Sequence, residues 1–357
     1  MSTAAAATNP TLPGLSQRKF KTVRFYTTKY VLNLTRALSQ MLLRELKILT
    51  ADIVCDELVS PETVQRNRTK PTELLFILIP QLLVTDASAV PDPGKYCIYQ
   101  LEQLNDKNVS SSSSAANETL IKTHFNPTLI ALIRNSIAAF DYSFVNLDYY
   151  PESLRSKISV LPPPIYINSA IIAPVAQTSY HSDILFYGSI NPRRERIVTQ
   201  LTQTLKHRGY GYNVRVLSRA FGDELIQYIS SARIVLNIHF YANSILETDR
   251  IHTALQFNNN VTVISEYPTQ RDALLPLYET NPRMRFCEEI SCNRGGGGGG
   301  DDYNVAELAE ACIKILSLPK VPNDDDKNIH LFEDECVLKL NALCSTELKR
   351  CLGEQQI

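Results

Sequence analysis

Several signatures that define whole classes of protein are missing from this 357-residue sequence. No run of about 18 apolar residues occurs, so we expect no transmembrane segment. The formal net charge is only −1, so no overall basic field argues for nucleic acid or an anionic membrane as a partner. No CxxC pair and no histidine pair at zinc-like spacing occurs among its eight cysteines and six histidines. This predicts reduced, mostly buried thiols in a cytoplasmic protein, and no metal site.

The fingerprint of a dinucleotide-binding enzyme is also missing. A dinucleotide-dependent oxidoreductase would need a GxGxxG turn directly after a strand, with an acidic residue about 20 positions further on. The glycine stretch Gly295–Gly300 lacks that context, and six consecutive glycines indicate a flexible loop rather than a phosphate cradle. An oxidoreductase is therefore disfavoured.

Length and composition predict two domains with large cores, because 44% of the residues are hydrophobic. The triple proline Pro162–Pro164 is stiff and extended, which suits an interdomain hinge. No Asp or Glu precedes Glu45, a bias shared with transit peptides, so a targeting role for the N-terminus stays open. We assign the chain to a disordered lead-in (1–19), a first Rossmann-like domain (20–165, with a flexible insertion at 105–118), a second Rossmann-like domain (166–320, with the glycine-rich loop 295–300), and an acidic linker with a C-terminal helix (321–357).

Strand and helix patterns alternate along the chain. In the first half, strands are predicted at Lys21–Thr27, Thr72–Ile79, Lys95–Leu101, Ser143–Leu147 and Ile158–Leu161, with helices at Val31–Leu49 and Pro127–Ala139. In the second half, strands are predicted at Ile184–Tyr187, Tyr212–Val216, Ile234–Ile238 and Val261–Ser265, with helices at Arg194–Lys206, Gly222–Ser230, Ile245–Gln256, Val305–Leu316 and Leu331–Leu352. Such alternation implies α/β domains with parallel sheets, and ligands of these sheets bind outside the carboxyl ends of the strands.

The segment FYGSINPRRERI follows the first strand of the second domain. Gly188 permits a tight turn and a close approach of the backbone to a ligand, and Ser189 and Asn191 lie in the same turn. A helix start with free N–H groups and the guanidiniums of Arg193 and Arg194 would favour a phosphate. The alternative is a strand–turn–helix unit with arginines that face solvent.

Two further strands deliver polar residues to the same edge. The strand IVLNIHFY brings His239 near its carboxyl end, where the imidazole suits a hydrogen bond to phosphate or sugar oxygen, although a structural histidine fits equally well. The strand VTVISE ends in Ser265 and Glu266, which would border the same cleft or form an exposed strand end.

The segment SILETDRI allows two interpretations. Ser244 and Glu247 have the spacing of a capping box, in which the glutamate binds the backbone N–H of the serine. Alternatively Glu247 and Arg250, one helical turn apart, face a ligand, so that the carboxylate binds ribose hydroxyls and the guanidinium a phosphate.

In this order and spacing, FYGSINPRRERI, IVLNIHFY, ILETDRI and VISE resemble the C-terminal donor domain of GT-B glycosyltransferases with a family 1-like C-terminal domain. The segments YQLEQ at 99–103 and FDYS at 140–143 with Asn146 look like parts of the related N-terminal domains. The resemblance covers roughly residues 70–320.

The resemblance implies two Rossmann-like domains that face each other across a cleft, with the nucleotide-sugar donor on the second and the acceptor mostly on the first. Gly188 and either Arg193 or Arg194 would face the diphosphate, Glu247 the ribose and Arg250 a phosphate. The implied activity is hexosyl or pentosyl transfer from a nucleotide sugar to a hydroxyl of a carbohydrate or glycoconjugate acceptor. Such enzymes generally need no metal or other cofactor, since the helix dipole and cations stabilise the leaving diphosphate.

The sequence departs from the family pattern at two places. Many retaining members have a second glutamate eight positions after the first, where this chain has Leu255. Thr27-Thr28-Lys29 stands where many relatives have glycine. An inverting reaction would need a general base, for which Asp141 and Glu102 are the candidates, although Asp141 could simply be a cap and Glu102 a helix-start residue. The alternative function is a nucleotide-sugar-binding pseudoenzyme or interaction protein with the same fold.

Overall fold

The structure is a computed structural model that describes residues 20–60, 62, 72–84, 91, 94, 96–104, 127–165, 181–242, 244–258, 260–288, 290, 292–293, 302–318 and 335–352. The predicted lead-in, the insertion at 105–118, the glycine stretch and the acidic linker all lie outside the described residues.

The chain divides into two compact units. The first comprises Met1–Thr28, Leu38–Pro162 and Leu343–Ile357, and the second comprises Lys29–Ala37 and Pro163–Ala342. The helices α1 (Leu32–Glu45) and α10 (Glu335–Leu352) each contribute residues to both units.

The first unit is built on a six-stranded, fully parallel sheet in the order β2-β1-β3-β4-β5-β6. Its strands are β1 (Thr22–Thr27), β2 (Thr50–Cys55), β3 (Glu73–Leu78), β4 (Tyr96–Gln100), β5 (Ala138–Asp141) and β6 (Ile158–Val160). Its shorter helices are α2 (Pro80–Leu83), α3 (Pro127–Asn135) and α4 (Glu152–Arg155), with a 3-10 turn at Val145–Tyr149.

Two features of the first unit differ from the sequence prediction. The helix predicted to reach Ala139 ends at Asn135, and the next strand is Ala138–Asp141 rather than Ser143–Leu147. The short apolar run is used as a strand because it is buried between β4 and β6, where the sheet supplies its hydrogen-bond partners. The edge strand Thr50–Cys55 was not predicted; its short run of apolar residues directly follows the predicted helix, and none of its residues is fully buried.

The second unit is built on a five-stranded parallel sheet in the order β11-β10-β9-β7-β8. Its strands are β7 (Ser182–Tyr187), β8 (Val214–Leu217), β9 (Ala232–Asn237), β10 (Thr262–Glu266) and β11 (Met284–Cys287), with a separate two-stranded ribbon of β12 (Cys292–Asn293) and β13 (Asp302–Tyr303). Its helices are α5 (Pro192–His207), α6 (Gly222–Ser231), α7 (Thr248–Phe257), α8 (Leu275–Glu279) and α9 (Ala306–Leu316).

Both faces of the second sheet are covered by hydrophobic residues. Alternate residues of β7 face opposite cores: Leu185 packs with α6 and α7 residues, whereas Phe186 packs with α5 and α9 residues. This explains the continuous apolar runs of the strands, which are typical of parallel sheets with helices on both sides. The predicted α/β fold class is confirmed by the two parallel sheets with interleaved helices.

Each sheet has one place where the order of strand addition reverses. In the first unit β2 lies on one side of β1 and β3 on the other, and in the second unit β8 and β9 flank β7 in the same way. A crevice opens outside the carboxyl ends of the strands at such a switch point, because the two connecting segments leave in opposite directions. Ligand sites are therefore expected at the β1/β3 and β7/β9 junctions.

No helix within the described ranges is long and apolar enough to cross a membrane. The seven cysteines whose side chains are described are free thiols, and five of them are buried, as predicted.

Candidate functional site

The switch point of the second sheet carries a cluster of charged side chains, which we call the arginine cluster. It consists of Arg193, Arg194, Arg250, Glu247 and Glu266. These residues come from the starts of α5 and α7 and from the end of β10, and the sequence motifs had placed all of them at one sheet edge. The structure thus brings the predicted residues together.

Gly188 forms the turn between β7 and the segment that leads to α5. Its φ of +124° lies in a region that residues with a side chain rarely adopt. A Cβ at this position would lie 2.8 Å from Nη2 of Arg250. Glycine is therefore required twice, for the backbone conformation and for the space that the guanidinium occupies.

The turn ends at Asn191, which caps α5. Its Oδ1 accepts a hydrogen bond from the backbone N of Arg194 at 2.8 Å, and its Nδ2 donates to the Phe240 carbonyl at 2.6 Å. Pro192 occupies the first helical position, where a missing N–H costs nothing. Asn191 thus fixes the helix start and ties it to the segment after β9.

Arg194 is buried, with 2% of its side chain exposed. Its guanidinium donates to the carbonyls of Ser189 and Ile238 at 2.8 and 2.9 Å and to Glu247 Oε2 at 2.5 Å. Burial lowers the pKa of Arg194 to about 10, partly opposed by Glu247, so it remains charged at neutral pH. Its contacts make Arg194 a positioning residue for Glu247.

Glu247 is the centre of the cluster. Besides Arg194, it pairs with Nη1 of Arg250 at 2.9 Å and accepts a hydrogen bond from the backbone N of Phe240. Burial alone would raise its pKa, but the two guanidiniums outweigh it and lower the pKa to about 2. A quarter of the side chain, 25%, stays exposed. The carboxylate is therefore held ionised in one orientation with an accessible edge.

The capping-box alternative for this segment is wrong. The backbone N of Ser244 donates to Oγ1 of Thr269 at 2.9 Å rather than to Glu247. Glu247 is itself the N-cap residue of α7, and its side chain makes no cap hydrogen bond.

Arg250 lies on the first turn of α7 and points back beneath Gly188. Its Nε donates to the Tyr187 carbonyl at 2.8 Å, and its Nη1 donates to Oδ1 of Asn237 at 2.7 Å. The carbonyl of Arg250 in turn accepts from the Tyr187 hydroxyl at 2.8 Å. These bonds lock α7 to the ends of β7 and β9.

Arg193 forms the other half of the cluster. Its Nη2 and Nη1 bind the two oxygens of Glu266 at 2.5 and 3.1 Å, in the forked geometry that suits a guanidinium and a carboxylate. Nη1 also donates to the His239 carbonyl at 2.8 Å, and Glu266 Oε2 accepts from the His239 backbone N at 2.7 Å. These hydrogen bonds link the end of β10 to the residues that follow β9.

His239 is buried behind this pair. Its Nδ1 lies 2.6 Å from Oγ of Ser244, and its Nε2 has no hydrogen-bond partner among the described residues. Burial lowers the pKa of His239, so the ring is neutral at physiological pH. Ser265 is buried as well, where it accepts from Asn237 at 3.0 Å and donates to the carbonyl of Glu266 at 2.9 Å.

The five side chains of the cluster comprise three guanidiniums and two carboxylates, which leaves one positive charge in excess among them. The neighbouring carboxyl of Asp249 offsets this charge only in part at neutral pH, because burial raises its pKa to about 7. The start of α7 adds the positive end of a helix dipole. Thr248, the first residue of that helix, has a buried hydroxyl without a hydrogen-bond partner among the described residues. Such an edge favours an anion that accepts hydrogen bonds.

The sequence did not predict a role for Thr248, nor the hydrogen bonds that Ser244 and Asn237 make. Thr248 directly follows Glu247, and the preference of phosphates for helix starts would have indicated it as a candidate. The partners of Ser244 lie 5 and 25 positions away, and no local pattern signals them.

The candidate bases lie in the first unit. Asp141 is fully buried, and its carboxylate accepts from the Ser143 backbone N at 3.0 Å, from Asn146 Nδ2 at 2.9 Å and from the Tyr150 hydroxyl at 2.7 Å. This network holds the turn after β5, but Asp141 is not a helix cap, because the N-cap residue of the following 3-10 turn is Phe144. Glu102 is half-buried, and its carbonyl accepts from Asn146 at 3.0 Å. Its catalytic role remains a prediction.

No group of three or more His, Cys, Asp or Glu side chains in the described part of the chain is arranged to hold a metal ion. The prediction that the protein needs no metal or other cofactor is not tested by this observation.

Comparison with known proteins gives similarity in structure only. No family model matches the sequence, and no curated protein matches it. Among solved structures, the chain is similar to the sucrose-phosphate synthase of Thermosynechococcus elongatus, with 10% identity over 93% of this chain and 95% of that one and a TM-score of 0.45. An alpha-glucosyltransferase in complex with UDP and DNA shares 10% identity over 93% and 99% of the two chains, with a TM-score of 0.49. The alpha,alpha-trehalose 6-phosphate synthase of Burkholderia multivorans shares 9% identity over 94% and 98%, with a TM-score of 0.48. These likenesses concern the fold alone.

Proposed function

We propose that the protein is a glycosyltransferase whose second unit binds a nucleotide-sugar donor at the carboxyl ends of β7, β9 and β10. The observation that carries this proposal is the arginine cluster, which lies at a topological switch point and has one positive charge in excess. The switch point is where a parallel sheet binds nucleotides, and the excess charge selects a phosphate-bearing ligand.

The contacts suggest a different role for each part of the cluster. Arg194 and Arg250 fix the carboxylate of Glu247, whose exposed edge then accepts hydrogen bonds from ribose hydroxyls. The start of α7, with the unpartnered hydroxyl of Thr248, receives the diphosphate, which the excess positive charge stabilises as it leaves. Because this stabilisation comes from fixed protein charges and a helix dipole, we propose that transfer proceeds without a metal or another cofactor.

In the reaction, the anomeric carbon loses its bond to the diphosphate oxygen and gains one to an acceptor hydroxyl oxygen, whose proton passes to a base. Glu102 is the remaining candidate for that base, since the carboxylate of Asp141 is committed to three hydrogen bonds within its own unit. The acceptor is proposed to be a carbohydrate or glycoconjugate.

The prediction that nucleic acid is not a partner has no support from the comparisons, because the similar alpha-glucosyltransferase structures are DNA complexes. An acceptor panel should therefore include duplex DNA beside mono- and oligosaccharides. The cytoplasmic location stays a prediction.

A thermal-shift screen with UDP, GDP, ADP and the parent nucleosides tests the donor site. A ligand at about 100 times its dissociation constant adds about 2.7 kcal/mol of stability, so at least one diphosphate should raise the melting temperature well above its nucleoside. The shift should persist in EDTA. Equal affinities for a diphosphate and its nucleoside would contradict the phosphate assignment.

The second candidate is a nucleotide-sugar-binding protein without transferase activity. The specific observation in its favour is the internal hydrogen bonding of Asp141, which leaves one predicted base. Release of nucleoside diphosphate from a bound nucleotide sugar, with or without an acceptor, would exclude this alternative. Binding without any release would support it.

A further inference from the structure

Two buried polar side chains at the carboxyl edge of the first sheet have no hydrogen-bond partner among the described residues. Gln100 ends β4 with 1% of its surface exposed, and both its amide nitrogen and its amide oxygen are unpartnered. Thr28 directly follows β1, is 6% exposed and has an unpartnered hydroxyl.

The strand register places the two side chains on one face of the sheet. Tyr26 of β1 pairs with Ile77 of β3, which pairs with Ile98 of β4, and all three face the same hydrophobic core. Gln100, the last residue of β4, and Thr28, the residue after β1, each follow by two residues and so continue this face at the carboxyl edge. Only β3 lies between them, and the β1/β3 junction is the switch point of this sheet.

Leaving these groups unpaired is costly. A buried amide without partners destabilises a fold by more than its hydrogen bonds would contribute, whereas an apolar side chain of similar size would not. The neighbouring residue across the sheet, Asp141, shows that this edge can satisfy polar groups, since its carboxylate has three donors. The missing partners of Gln100 and Thr28 therefore point to a bound molecule.

We propose that Gln100 and Thr28 form a binding site for a neutral, hydroxyl-bearing ligand. An amide offers a donor and an acceptor together, and a threonine hydroxyl offers both in one atom, which matches vicinal hydroxyls. The carboxylate of Asp141, paired with Gln100 in the sheet register, disfavours an anionic ligand at this place. Identifying this ligand as the acceptor rests on the proposed function, whereas the existence of the site does not.

The binding arm of the test uses the full-length chain with ¹⁵N-labelled glutamine. The side-chain amide resonance of Gln100 is assigned by its absence from the Gln100→Met variant. The probes are methyl α-D-glucopyranoside, methyl α-D-mannopyranoside and N-acetylglucosamine, with glucose 6-phosphate as the charged comparison. At least one neutral probe should shift the Gln100 amide and bind more tightly than the phosphate. Failure of every neutral probe to shift that resonance would overturn the proposal.

Variants make the same test quantitative. Gln100→Met and Thr28→Val should each weaken the neutral probe, by about tenfold for Gln100 because an amide loses two hydrogen bonds. Ser136→Ala is the matched control, because Ser136 lies at the opposite, amino edge of β5 and its hydroxyl is satisfied by the Ile133 carbonyl. The control should bind the probe like the wild type.

Melting without ligand separates this proposal from a purely structural role. Gln100→Met should raise the melting temperature by about 3 °C, since it removes an unpaired buried amide. A lower melting temperature would mean that the amide is hydrogen-bonded within the protein, and the proposal would fail. UDP binding, measured on the same samples, should be unchanged in Gln100→Met. If the wild type does not bind UDP, the proposed function is contradicted, whereas the site at Gln100 and Thr28 is not.

Discussion

The guanidinium of Arg194 lies 2.5 Å from the carboxylate of Glu247, across 53 positions of the sequence. Arg194 belongs to the first turn of α5, whereas Glu247 is the N-cap residue of α7. The bond therefore ties the starts of two helices that follow different strands. A carboxylate held in this way is oriented before any ligand arrives, which is the arrangement that a specific binding site needs.

Replacing Arg194 by methionine tests this positioning role. Glu247 would lose one of its two guanidinium partners, and breaking a buried ion pair by removing one member costs about 3–5 kcal/mol. We expect a loss near the lower end, about 3 kcal/mol, because Arg250 still pairs with Glu247 at 2.9 Å. Urea unfolding measures the loss.

The matched control is Arg196→Met, on the exposed side of the same helix. It should change the free energy of unfolding by less than about 0.5 kcal/mol. A similar small change in both variants would mean that the Arg194–Glu247 pair does not stabilise the fold. Loss of UDP affinity in Arg194→Met alone would connect the pair to binding.

Gly188→Ala should be more destabilising than an ordinary glycine substitution. The new Cβ would meet Nη2 of Arg250 at 2.8 Å in addition to the strain of a positive φ. Gly209 is the matched control, because its φ is +84° and no atom lies within 4 Å of an added Cβ. An alanine there introduces the backbone strain of a positive φ without a steric clash. We expect Gly209→Ala to cost about 1 kcal/mol and Gly188→Ala about 1–2 kcal/mol more, measured by thermal unfolding. Equal costs would show that Arg250 moves aside freely.

The local sequence predicted most strands and the edge at which the site lies, because parallel strands have long apolar runs and their carboxyl ends share one edge. The start of α5 was predicted to within two residues, whereas α7 begins at Thr248 rather than at the predicted Ile245. The partner of each charge was not readable, since Arg194 bonds a residue 53 positions away and Arg193 one 73 positions away. The strand Ala138–Asp141 was misassigned because periodicity cannot separate a short buried strand from the end of an apolar helix.

The stability of the wild type should fall at acid pH in a way that depends on Glu247. Its carboxyl has a pKa of about 2 in the folded chain against an ordinary 4.5. The unfolded chain therefore binds more protons between these values, and the stabilisation, complete above pH of about 4.5, is lost as the pH falls towards 2. Glu247→Gln should flatten this fall, as measured by urea unfolding at pH 5, 4 and 3.

A residual slope is expected in that variant, because Lys349 and Ser345 also lower the pKa of Glu45 to about 2. Asp249, whose pKa is raised to about 7 by burial, contributes a slope of the opposite sign above pH of about 4 in both proteins, so the difference between the two curves reports Glu247. Glu195→Gln, at an exposed position of α5, is the control and should keep the wild-type slope. If Glu247→Gln also keeps the wild-type slope of unfolding free energy against pH, the two guanidiniums do not hold the Glu247 carboxylate in the ionised form.

The roles of Asp141 and Glu102 can be separated by paired amide substitutions. Asp141→Asn replaces a charged acceptor of three hydrogen bonds by a neutral side chain, and we expect a loss of about 1–3 kcal/mol in unfolding free energy. Transfer per folded molecule, assayed well below the melting temperature, should be retained, because Asp141 is fully buried. Glu102→Gln should show the reverse, with little change in stability and a fall in kcat of about 10²–10⁴ if Glu102 is the base. A large fall in kcat for Asp141→Asn with stability intact would instead make the buried carboxylate the base.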